Sequence, residues 1–147
     1  MQEKEIVRGE ETFIESVAAE SRNAVVFEDD GETAYYYAME MDEAGGGMRI
    51  LDALHIYEVP NEGEEEKYEE EAVLAGREVS KRGMVSKMLF VWSKDWMKCA
   101  LVLDGYCQAI FDFEAHGGYN INEFPPPNGI WTKSERTLTN ELITRLF

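Results

Sequence analysis

Positive charge is scarce in this chain, where 14 Lys and Arg stand against 30 Asp and Glu in 147 residues, a formal net charge of −16. Basic residues do not cluster with aromatics, so the cationic, base-stacking surface that nucleic acid requires has no support. The same field repels anionic membranes. No apolar run approaches the roughly 20 residues that span a bilayer, and residues 1–7 lack the basic start and apolar stretch of a secretion signal. These absences predict a cytoplasmic protein. Also missing are G-x-G-x-x-G, G-x-x-x-x-G-K-[ST], H-E-x-x-H, C-x-x-C and G-x-S-x-G. Nucleotide binding, zinc chemistry and hydrolase elbows therefore have no motif behind them, and no cofactor or metal is expected.

Cysteine is nearly absent too, and the 2 residues present do not suit a bridge. If Asp104-Gly105 is a two-residue hairpin turn, Cys99 opposes Ile110 and Cys107 opposes Val102. The thiols then lie on opposite faces and stay free.

What is present is apolar material. Hydrophobic residues make up 44% of the chain and aromatics 12%, too rich for disorder despite the charge. A chain of this length can bury roughly 70% of its unfolded surface. One domain over 1–147 is expected. The charge is unevenly placed: residues 1–80 hold 23 Asp and Glu against 6 Lys and Arg, and residues 81–147 hold 7 against 8.

Residues 23–41 read as a hairpin, because Ala24–Phe27 and Thr33–Ala38 are β-formers flanking the turn at Asp30-Gly31. Thr12–Val17 reads as a further strand added to it. Met48–Val59 is apolar enough on both faces for an interior strand and is stopped by Pro60. Residues 61–83 form an acidic insertion or surface helix, with seven carboxylates between Glu64 and Lys81. Lys87–Trp92, Lys98–Leu103 and Tyr106–Phe113 make an antiparallel meander, followed by an irregular Pro/Gly connection at about 115–131. Thr132 and Glu135 fit a capping box for a terminal helix whose apolar face is Leu138, Leu142, Ile143 and Leu146. The fold expected is α+β, a mostly antiparallel sheet of five or six strands with this helix packed on it.

Candidate chemistry is sparse. Asp52 and His55 invite a carboxylate–imidazole dyad, but residues three apart in a strand point to opposite faces, so a strand merely presenting each to one surface is favoured. Asp112, Glu114 and His116 could in principle gather around a metal, yet nothing else completes a ligand set, and a half-buried strand edge is the simpler reading. Glu28, Asp29, Asp30 and Glu32 surround Gly31 without the alternating carboxylates of a calcium loop, so an acidic β-turn is favoured there.

Four blocks, residues 27–33 (FEDDGET), 50–57 (ILDALHIY), 92–95 (WSKD) and 105–113 (GYCQAIFDF), resemble in combination a family of small bacterial proteins of unknown function. The likeness runs from about Phe13 to Pro125; the acidic stretch Glu62–Gly83 and the proline-rich tail depart from it. The resemblance implies a bacterial origin and a shared fold, and it transfers no catalytic residue.

Two functional classes follow. The favoured one is a non-enzymatic acidic protein engaging a basic protein partner, for instance an immunity- or antitoxin-type inhibitor, through Glu28, Asp29, Asp30, Glu32, Glu64, Glu65 and Glu66. The alternative is a small enzyme or ligand-binding domain using Asp52, His55, Asp112 or His116 in a pocket. The first requires the carboxylates to share one exposed surface; the second requires a concave site with converging polar groups.

Overall fold

The computed structural model describes residues 3–19, 21–42, 47–61, 63–64, 79–133 and 135–147. Within these, β1 (Lys4–Val7), β2 (Thr12–Val17), β3 (Asn23–Asp29), β4 (Thr33–Met41) and β5 (Met48–Glu58) precede β6 (Val85–Trp92), β7 (Lys98–Leu103), β8 (Tyr106–Asp112) and β9 (Gly117–Asn120), and α1 (Asn140–Leu146) closes the chain. The strands form two antiparallel sheets, ordered β1-β6-β7-β8-β9 and β2-β3-β4-β5.

The expected α+β architecture, one sheet of five or six strands with a helix laid on it, is overturned by this arrangement. The physical reason is that each sheet carries its own apolar face. Val25, Phe27, Tyr36 and Leu54 from one sheet enter a common core with Met88, Leu101, Leu103 and Phe111 from the other. Two such faces cover each other, giving a sandwich that needs no helix for its core. Tyr36 bridges the layers: its ring centroid is 4.8 Å from that of Phe111 and its hydroxyl donates to the Cys99 carbonyl at 3.0 Å. On the other flank Trp92 Nε1 donates to Ser16 Oγ at 2.9 Å.

The β2-β3-β4 pairing and the β6-β7-β8 meander form as expected. At the β7–β8 turn Asp104 and Gly105 both take positive φ, 51° and 84°, and Leu103 pairs with Tyr106 and Val102 with Cys107. A one-residue bulge follows, so Cys99 opposes Phe111 rather than Ile110. Both cysteines are free.

Three further expectations are corrected. β5 is an edge strand, not an interior one. It reads as apolar on both faces because its free edge is covered: His55 N–H donates to Phe124 O at 3.0 Å, and Asn120 Nδ2 donates to His55 O at 2.9 Å. The helix starts at Asn140, capped by Thr139, whose side chain accepts from Leu142 N; Thr132 is buried elsewhere. Leu142 is buried, Leu138 and Leu146 are half-buried and Glu141 is exposed. Inside the supposed irregular connection, Gly117–Asn120 pairs with β8. Most of the acidic insertion lies outside the described residues, which resume at Val79, bridged in parallel to Glu58.

Candidate functional site

Asp52 and His55 sit on opposite faces of β5 and are not hydrogen-bonded to each other, as their spacing dictates. Asp52 is buried and meets Arg136, whose Nη1 and Nη2 donate to Oδ2 and Oδ1 at 2.8 and 2.9 Å, while Thr132 Oγ1 donates to Oδ2 at 2.5 Å. The guanidinium also donates from Nη1 to Gly118 O at 3.1 Å and from Nε to Pro125 O at 2.5 Å. These bonds clasp β5 to the C-terminal segment. Gly118 is required beneath it: a Cβ there would lie 2.8 Å from Asp52 Oδ2 and 3.0 Å from Arg136 Nη1.

His55 is buried on the other side of the strand. Its Nδ1 is 2.8 Å from Asn122 Nδ2, its Nε2 is 3.5 Å from Glu58 Oε1, and its ring meets Tyr35 and Phe124 edge-on.

Asp112 closes its own turn, Oδ1 accepting from Glu114 N and Ala115 N at 3.0 Å each. His116 is exposed and stacks on Trp131 at 5.2 Å. These two residues and Glu114 therefore do not converge, and no group of three potential ligands suited to a metal occurs among the described residues.

The acidic set is divided. Asp29, proposed above for an exposed patch, is only 1% exposed. Its Oδ2 accepts from Tyr57 Oη at 2.6 Å and from Gly9 N at 2.9 Å, and its Oδ1 accepts from Gly31 N at 2.9 Å. It ties the β1–β2 turn to the β3–β4 turn. Burial, then the bond to Asp29, pushes the Tyr57 phenol far above its usual range. Asp30 and Glu32 are exposed, with Asp30 Oδ1 accepting from Glu32 N and Thr33 N. Glu28 is half-buried and Glu64 exposed; Glu65 and Glu66 lie outside the described residues.

Among the described residues, two surfaces stand out as able to receive another molecule. The first is the outer face of the β2-β3-β4-β5 sheet. Strand alternation and register set three rows across it: Phe13, Glu28, Tyr35 and His55; Glu15, Val26, Tyr37 and Ala53; Val17, Ala24, Met39 and Ile50. Ala24, Val26 and Met39 form a second buried apolar cluster flanked by Tyr37, Met41 and Met48, and Tyr35 stacks on Tyr37 at 5.9 Å. Around it Phe13 is 60%, Ile50 59% and Val17 43% exposed. The sequence signal for this face was the alternation of Tyr35, Tyr37, Met39 and Met41, which places large residues on the side of β4 away from the main core.

The second is a cavity of about 840 Å³ bordered by Arg8, Ser80, Lys81, Asp104 and Asn122. Arg8 Nε donates to Ser86 Oγ and Nη1 to Ser80 Oγ, both at 2.9 Å, and its guanidinium lies 4.8 Å over the Tyr57 ring. The Lys87 N–H bonded to Asp104, more than nearby Arg8, holds that carboxyl below its ordinary range. Neither Arg8 nor Arg136 stood out in the sequence, because the serines that fix Arg8 lie 72 and 78 residues away and the carboxylate that pairs with Arg136 lies 84 away.

The fold is a two-sheet antiparallel sandwich, and comparison with known proteins supplies the family. The chain belongs to the uncharacterized proteins conserved in bacteria that make up the DUF2251 family, whose model matches residues 6–147. The match includes the tail that the sequence blocks alone had placed beyond the likeness. The chain is also similar, at 34% identity over 116 residues, to an uncharacterized protein of Haemophilus influenzae; the aligned region covers 78% of this chain and 60% of that protein's length. No solved structure matches. Among the described residues no helix is long and apolar enough to cross a membrane.

Proposed function

We propose that the protein is a non-enzymatic binding protein that engages a basic protein partner through the outer face of the β2-β3-β4-β5 sheet, in the manner of an inhibitor that masks a cationic surface. The observation carrying this reading is the composition of that face: exposed Phe13, Val17 and Ile50 beside Tyr35, Tyr37 and Met41, with Glu15 and Glu28 set among them. Aromatic and methionine side chains give area and adaptability, and the carboxylates select a partner whose apolar patch is bordered by Lys or Arg. Asp30 and Glu32, on the adjoining turn, extend the field that steers approach. Self-pairing through this face is disfavoured, since it would bring two chains of net charge −16 together.

The test is recovery of partners from the native cell at low salt by three forms of the protein, each retained partner being cross-linked to locate its contact. Wild type should capture a basic protein cross-linked to the Phe13 and Ile50 face. The Phe13→Glu, Ile50→Glu double variant should lose it. The Asp30→Lys, Glu32→Lys variant should bind it with a slower on-rate. An identical catch from all three forms, or cross-links confined to another surface, defeats the proposal.

A further inference from the structure

The cavity carries an excess of cationic side chains in a chain whose net charge is strongly negative. It opens where the end of β1, residues 79–84, the β7–β8 turn and residues 121–122 meet. Its charged lining residues among those described are Arg8, Lys81 and Asp104, two cations to one carboxylate in a chain of net charge −16. Arg8 is 8% exposed, and its Nε and Nη1 are fixed by Ser86 and Ser80. Its Nη2 makes no hydrogen bond among the described residues; Asp104 Oδ2 stands 3.7 Å away, beyond hydrogen-bond range. A buried guanidinium whose remaining nitrogen holds only a long ion pair to Asp104, and which is held rigid before any ligand arrives, is a pre-organised anion receptor.

The remainder of the lining pairs polar Ser80, Gln108 and Asn122 with an apolar part made of buried Leu103 and exposed Met84, Tyr106 and Ile121. Among these, Asn122 is held in place by its own bonds: its side chain accepts from Asn120 Nδ2 and Phe124 N and contacts His55. The volume lies within the range of small-molecule sites, roughly 300–1,000 Å³.

We propose that this cavity binds a small organic carboxylate with an apolar body, its headgroup on Arg8 Nη2 and Lys81 and its body against Leu103, Met84, Tyr106 and Ile121. A monoanion suits the site better than a phosphate, because Asp104 beside Arg8 leaves only one excess cation.

The experiment is a titration of the ¹⁵N-labelled full chain with octanoate, followed by amide chemical shifts, with octylammonium as the cationic counterpart. Octanoate should give saturable shifts at Ser80, Lys81, Gln108 and Ile121, and octylammonium none there. Lys81→Glu, an exposed position, should weaken octanoate binding about three- to tenfold while leaving the remaining spectrum unchanged. Three results each overturn the proposal: absence of saturable octanoate shifts at the cavity, shifts at Phe13 and Ile50 instead, or equal binding of octylammonium. Because the outer-face variants leave this cavity untouched, failure here is distinguishable from failure of the partner surface.

Discussion

Arg136 and Asp52 are the residues whose removal should cost most. Replacing one member leaves a buried charge unpaired, so Arg136→Met or Asp52→Asn should lose about 3–5 kcal/mol in urea unfolding. The double variant Asp52→Leu, Arg136→Met should lose less than the sum of the two, because neither charge is then stranded. Gly118→Ala should also destabilise, since its Cβ would stand 2.8 Å from both Asp52 Oδ2 and Phe111 Cε1. Cys99 gives a pH signature. Burial pushes its thiol up to about 12 from an ordinary 9.0. The folded chain keeps this proton where the unfolded chain has lost it. The stability so contributed is complete below about pH 9 and is lost as pH rises toward 12, with buried Tyr36, also raised by burial, acting in the same direction. Thermal melts between pH 9 and 12 should therefore fall, and fall less steeply in Cys99→Ala.

At the scale of elements, the terminal helix is an accessory rather than a layer. Leu142 is its one buried residue and lies outside the main core cluster, so Leu142→Ala should cost about 2 kcal/mol, the low end for a buried leucine, and Thr139→Ala about 1 kcal/mol through the lost cap. Both are read from urea midpoints. The strands that local pattern specifies were legible: the β-formers of Thr33–Ala38 beside Asp30-Gly31, the Asp104-Gly105 turn and the β-branched Thr12–Val17 each led to the observed pairing. What was not legible depends on distant chain. β9 is built from Gly117, Gly118, Tyr119 and Asn120, of which all but Tyr119 are weak strand formers, and Gly118 is held to glycine by the space left under Arg136. β1 is four residues at a charged edge. Asp29 sits in a turn of four acidic or flanking carboxylates that look alike in sequence; only the approach of Gly9 and Tyr57 singles it out as interior. Of the candidate site, the opposite facing of Asp52 and His55 followed from spacing alone, while the Arg8 cavity had no local signal at all.

For the whole molecule, net charge sets the solution behaviour. A chain at −16 repels itself, so moderate salt should raise its thermal midpoint by screening, while slowing association with a basic partner. Melting curves and stopped-flow traces across 0.02–0.3 M salt, on the order of the range where the Debye length shrinks severalfold, should move in these opposite directions. The clasp between β5 and the tail also bears on how the chain is made. Asp52 precedes its counter-charge by 84 residues. At about 5–20 residues per second of synthesis, the carboxylate waits about 4–17 s before Arg136 exists. Until then β5 cannot enter its buried position without stranding a charge, so closure of the sandwich is deferred until residue 136 has been translated. A ribosome-stalled chain ending at residue 130 should accordingly be protease-sensitive throughout, and one carrying the full 147 residues beyond the exit tunnel should be resistant. Arg136 thus gates closure of the sandwich, withholding the folded state from chains that stop short of it.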